Sequence, residues 1–182
     1  VHTGRATASV TDDVNPYADD LDDESDEETT ETLLEQSQQN AQAMILATIS
    51  LLDDLGVLPE AWADGLGERF SPAWGDEEPW EAGEFLDAML SNYRALGATV
   101  VDSALGETHA TATIAGFPDE ELCQVFMVDP ADAHVFHRLA AEIARRRDLA
   151  WTWTVAEDEV TFTVDAIESD DDEDEDGDED EA

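Results

Sequence analysis

The sequence contains no lysine: its seven basic residues are all arginine. A chain so poor in positive charge cannot present the broad basic surface that unaided nucleic-acid binding requires, so no direct nucleic-acid contact is expected. There is a single cysteine, Cys123, which excludes an internal disulfide and any four-thiolate metal site. No long hydrophobic run exists either. The longest apolar stretch, Met44 to Leu52, is interrupted by Thr48 and Ser50 and falls well short of the roughly 18 apolar residues that a membrane-spanning helix needs. The N-terminal residues carry only Arg5 and lack the apolar core of a secretion signal, so a cytoplasmic protein without a membrane role is expected. Also missing are a phosphate-cradling glycine loop, a dinucleotide fingerprint, a nucleophile elbow, a two-histidine zinc helix and a calcium loop. Gly65-Leu66-Gly67 has no preceding strand pattern. Nothing therefore points to a cofactor or nominates a catalytic residue, and a non-enzymatic role is expected.

What the chain has in abundance is carboxylate. Its 48 Asp and Glu give a formal net charge of -41 over 182 residues. The excess is not confined to the ends, because residues 29–164 still hold 25 acidic residues against six Arg. Self-repulsion on this scale opposes compaction in dilute buffer, but at molar salt the screening length falls to about 3 Å and the charges hardly see one another. Over its whole length the composition resembles that of proteins from extremely halophilic archaea, which implies a protein that stays folded in a high-salt cytoplasm.

Residues 1–28 and 166–182 are acidic and poor in large apolar groups, so both read as disordered, with one domain over 29–165. The acidic tail reads as a solvated solubility segment. A long amphipathic helix is predicted from Thr29 to Leu55, on the spacing of Leu34, Ala41, Ile45, Leu52 and Leu55 and with Gly56 as its stop. An aromatic connector follows over 57–78, with one helical turn around Glu60–Gly65. The next helix begins near Pro79 and carries Phe85, Met89, Tyr93 and Leu96 on one face. Period-two patterns then predict strands at 98–105 and 108–115, and a third at Leu122–Val128. Asp129-Pro130 starts a helix that runs to Arg147. The alternation of Trp151, Trp153 and Val155 with threonine, followed by Val160, Phe162 and Val164, predicts a closing hairpin. The expected fold is α+β: a single domain with two N-terminal helices and an antiparallel sheet of four to five strands, a helix being inserted before the C-terminal hairpin. Over residues 80–164 this order of helix, hairpin, helix and hairpin resembles the vinyl-reductase-type small-ligand domains. Their cysteine-rich metal signature is missing here.

Several side chains stand out as candidates for a site. Trp62, Phe70, Trp74 and Trp80 crowd a connector expected at the surface, which suits a contact site, a ligand wall or a cap on the sheet. With Phe85, Trp151 and Trp153 they form the candidate partner or ligand contact. Arg145, Arg146 and Arg147 are the one concentration of positive charge, read either as helix C-terminal cations or as an anion contact. His134 and His137, three apart on a helix, are the weak metal candidates, with Asp132, Cys123 or His109 as further ligands. The leading expectation is an interaction or regulatory protein acting on a protein partner, or as a homodimer through the first long helix. The alternative is a small-molecule sensor with a pocket between sheet and helices, walled by Trp80, Phe85, Trp151 and Trp153.

Overall fold

The computed structural model describes the backbone of residues 24–75 and 80–167, with side chains from Thr29 onward. Two compact units are distinguished, residues 1–36 and 37–182. Of the first, the described part is the opening of helix α1, where Leu33 and Leu34 are exposed. All contacts considered below lie within the second. The acidic segments expected to be disordered fall mostly outside the described residues.

Helix α1 spans Glu24–Asp54, α2 Pro59–Phe70 and α3 Ala82–Ala95. Strands β1 (Thr99–Leu105) and β2 (His109–Ala115) form the first hairpin, and β3 (Leu149–Ala156) and β4 (Glu159–Ala166) the second. Between the hairpins lie α4 (Glu120–Phe126), a short α5 (Pro130–Ala133), a 3-10 turn at His134–His137 and α6 (Arg138–Arg145). The architecture is α+β, as the sequence predicts. The hairpins join through β2 and β4 into one antiparallel sheet of order β1-β2-β4-β3.

Alternation fixes the two faces of this sheet. Ala110, Ala112 and Ile114 of β2, Val160, Phe162 and Val164 of β4, and Leu149 and Trp151 of β3 are all buried beneath the helices. The opposite face carries Thr111, Thr113, Thr152, Thr154, Thr161 and Thr163, cross-strand neighbours by register, and the hydroxyls of Thr113 and Thr161 bond at 2.9 Å. Helix α3 lays Phe85, Leu86, Met89, Leu90 and Tyr93 on the apolar face. Its first turn has no side-chain cap. Instead the amides of Ala82 and Gly83 donate to the carbonyls of Glu107 and Gly106 in the β1–β2 turn, which satisfies the helix start from another element. Gly83 permits that approach, because a Cβ there would lie 3.0 Å from the Gly106 carbonyl oxygen.

Helix α1 joins a second cluster, in which Leu46 and Ile49 meet Cys123, Val128, Ala133 and Val135. Gln42, 5% exposed, pins it. Its Nε2 donates to the carbonyls of Leu96 and Gly116, and its Oε1 accepts from the Asp119 amide.

Two expectations are corrected. Leu122–Val128 is not a third strand: residues 120–126 are helical, because the Asp119 carboxylate caps the Leu122 amide at 2.9 Å and Glu120 and Glu121 suit a helix N-terminus. A short apolar run cannot by itself choose between strand and helix. The 57–78 connector is likewise mostly helical, as α2 followed by a 3-10 turn at Ser71–Trp74. Pro59 stands in its first turn, and Gly67 is needed where α2 crosses α6, since a Cβ there would meet the Leu139 carbonyl oxygen at 2.7 Å. The helix predicted after Asp129 is present but broken by the 3-10 turn, and Pro79 lies outside the described residues.

Candidate functional site

Two hollows of opposite chemistry flank the helical side. The first is a groove of about 480 Å³ between the connector, α3 and α6. Phe70 and Trp74 form one lip, Met89, Tyr93 and Leu96 of α3 the second, and Phe136, Leu139 and Ile143 the third. Among the described residues no Asp, Glu or Arg lines it, and Asn92 is the one polar amide. Phe70 is half exposed at the lip. The second hollow, about 630 Å³, lies beside the end of α1 and is lined by Asp53, Asp54, Glu60, Asp129 and Asp132 together with His134, Arg138 and Trp153.

A hydrogen-bonded chain runs through the core from one hollow to the other. Tyr93, one of the residues lining the groove, bonds through its hydroxyl to His137 Nδ1 at 2.7 Å, and His137 Nε2 lies 3.2 Å from Nδ1 of His134, which lines the acidic hollow. His137 is fully buried and ringed by Tyr93, Phe117, Trp153 and Phe162. Burial, with a smaller contribution from His134, pushes its pKa down to about 3. Burial also lowers that of His134 and raises that of the Tyr93 phenol. All three are therefore neutral near pH 7. One proton assignment satisfies them all: the tyrosine hydroxyl donates to His137, His137 donates to His134, and His134 keeps Nε2–H for the hollow.

This arrangement bears on the metal candidates. His134 and His137 do converge, but both ring nitrogens of His137 are engaged within the protein. Cys123 is buried in the second cluster and its thiol is pushed up by burial and by nearby carboxylates. His109 pairs with Asp165 on the sheet at 2.7 Å. Among the described residues no group of three or more His, Cys, Asp or Glu is placed to hold a metal ion.

The three arginines do not act together. Arg145 and Arg146 both turn to Glu142, at 2.7 and 3.7 Å, and the hydrogen bond from Arg145 holds that carboxyl below its ordinary range. Arg147 turns inward. It donates to the hydroxyl and carbonyl of Ser71 and to the carbonyls of Gly75 and Ile143, and its guanidinium carbon lies 6.0 Å from the Trp80 ring centre. Its role is to hold the Ser71–Gly75 segment, and with it Trp74, against the domain.

The aromatic candidates are divided in the same way. Trp74, Trp80, Phe85 and Trp151 touch in succession, with ring centres 5.7, 6.4 and 6.0 Å apart, so the rings expected to wall a pocket between sheet and helices fill that space themselves. Trp62 packs on Phe136, and Trp153 meets the edge of His137. Only Phe70 and Trp74 of the seven reach the groove, while Trp153 reaches the acidic hollow. Sequence reasoning missed Leu139, Ile143 and Phe136 as groove residues, because their apolar stripe accounts equally for core packing. No helix among the described residues is long and apolar enough to cross a membrane. Compared with protein-family models, curated proteins and solved structures, the chain matches none.

Proposed function

We propose that this is a non-enzymatic interaction protein that takes an uncharged apolar side chain of a protein partner into the groove between the connector, α3 and α6. The observation that carries the reading is the groove's lining. In a chain with 48 acidic residues, eleven of the described residues line this hollow and none of those is Asp or Glu. Carboxylates in that lining would cost desolvation when an apolar group docks, and a lining built from apolar side chains does not carry that cost. The net charge of -41 supports a working medium of molar salt, in which apolar contact outlasts surface ion pairing.

The test uses the uncharged dye Nile red in about 3 M KCl, a salt level chosen for its short screening length. One equivalent should bind with a blue shift, and Leu139→Glu should weaken that binding at least about tenfold while leaving the circular dichroism unchanged. Binding that ignores the variant would remove the groove from consideration.

A second reading, a small apolar ligand in the same groove, is favoured by its volume, which falls within the ~300–1,000 Å³ usual for ligand pockets. A small molecule co-purifying with wild-type protein but not with Leu139→Glu, detected by native mass spectrometry, would select it.

A further inference from the structure

We propose that two copies of this chain pair antiparallel through the outer face of α1. The inner face of this helix is spent on Gln42, Leu46 and Ile49. Its outer face repeats at heptad spacing: Ala41, Thr48 and Leu55 fall seven apart, and Met44 and Leu51 fall three beyond the first two. That is the spacing of a helix-pairing seam. Met44 is 72% exposed, Leu51 56% and Leu55 66%, and the turn continues through Leu55, whose amide donates to the Leu51 carbonyl. Thr48 donates its hydroxyl to the Met44 carbonyl at 2.7 Å, so it offers the seam a methyl group with its polar atom already satisfied.

Charge identifies the occupant. From Ser37 to Leu52 the chain has no Asp, Glu or Arg, a gap found against an acid content of more than one residue in four. A second copy is as acidic as the first, and this is the stretch of α1 along which two copies can close without bringing carboxylates together.

The seam is also complementary to itself. A two-fold axis passing at Thr48 sets Met44 against Leu51 of the second copy and the large Leu55 over the small Ala41, a match that two antiparallel helices make twice. The same alignment places Asp53 and Asp54 opposite uncharged residues near Gln42 and Ala43. A parallel pairing would set both aspartates against their own copies. The seam from Ala41 to Leu55 is about 21 Å long.

Light scattering in about 3 M KCl should return twice the 19.9 kDa chain mass. Met44→Glu with Leu51→Glu should return the single-chain mass at unchanged circular dichroism, since both side chains are exposed. Should that variant fail to fold, cross-linking carries the test. Ala41→Cys chains mixed with Leu55→Cys chains should form a disulfide dimer on oxidation, and neither should do so alone; Cys123, 1% exposed, does not compete. A single-chain mass at every concentration would overturn the proposal, as would a dimer that survives the double substitution or Ala41→Cys chains that cross-link with themselves. Leu139→Glu in the groove should leave the dimer mass intact, which separates this surface from the proposed groove contact.

Discussion

The groove and the acidic hollow lie on the same helical side and differ in almost every chemical respect. Among the described residues one has no carboxylate in its lining and the other has five. In a protein of ordinary composition a cluster of carboxylates would draw the eye. Here carboxylate is the background, and its absence is the informative feature. An acid-free lining must be maintained against a composition that puts an acid at about every fourth position, whereas an acid-rich one is what that composition delivers. The wall between the hollows is the Tyr93–His137–His134 chain, so the contrast can be probed from either side and through the wall.

The largest effect should come from the wall itself. Tyr93 is buried, stacks on Phe162 with ring centres 4.9 Å apart and holds His137. Tyr93→Ala should cost about 3–5 kcal/mol in denaturant unfolding. Tyr93→Phe keeps the ring and removes only the hydroxyl, leaving His137 Nδ1 without its donor at a cost of about 1–3 kcal/mol. If the two substitutions cost the same, the hydrogen bond rather than the packing maintains the wall.

Acid should act through the same residue. The unfolded chain protonates His137 near its ordinary value of 6.5, while the folded protein resists until about 3, so the unfolded state binds more protons between those limits. The stability contributed by the neutral buried imidazole is therefore complete above pH 6.5 and is lost progressively as the pH falls toward 3. From pH 7 to pH 5 the loss should be about 2 kcal/mol, measured by chemical unfolding at constant salt. The lowered value of His134 acts in the same direction. A flat profile over that range would mean that solvent reaches His137.

Gly67 sets the flank of the groove. Gly67→Ala places a methyl group 2.7 Å from both the Leu139 carbonyl oxygen and Glu142 Cβ, forcing α2 off α6 at a cost of about 1–3 kcal/mol. Thermal melts and Nile red affinity should fall together. Affinity that holds while the melting point drops would uncouple the groove from this crossing.

The smallest effect belongs to the acidic hollow. Asp54→Asn with Asp132→Asn should change stability by less than about 0.5 kcal/mol at molar salt and should stabilise more at about 0.1 M, where the screening length reaches about 10 Å and repulsion is felt. A large loss at molar salt would make those carboxylates structural and reverse the contrast between the two hollows.

The sheet was the most legible part of the fold, because Trp151, Trp153, Phe162 and Val164 alternate with threonines whose register follows from the turn between them. Helix α3 was legible for the same reason, at a period of 3.6. The segment at 122–128 misled because seven mostly apolar residues fit either period and the deciding atom is a carboxylate oxygen of Asp119, just outside the run. In the connector, three glycines and two prolines argued against helix, yet Gly67 is present because a helix passes close to another there. The spacing of His134 and His137 could be read, but the burial that neutralises His137 comes from residues as distant as Tyr93 and Phe162. The groove draws its lining from positions 70 to 143, and no local pattern reports such a gathering. The uncharged span of α1, by contrast, stands openly in the sequence.

Arg147 has no place in the lining of either hollow, yet its guanidinium ties down the segment that carries Trp74. One lip of the groove is thus held from behind, by a residue that does not line it. Altering this anchor would free the lip that carries Trp74, and a survey confined to lining residues would overlook the position that holds it.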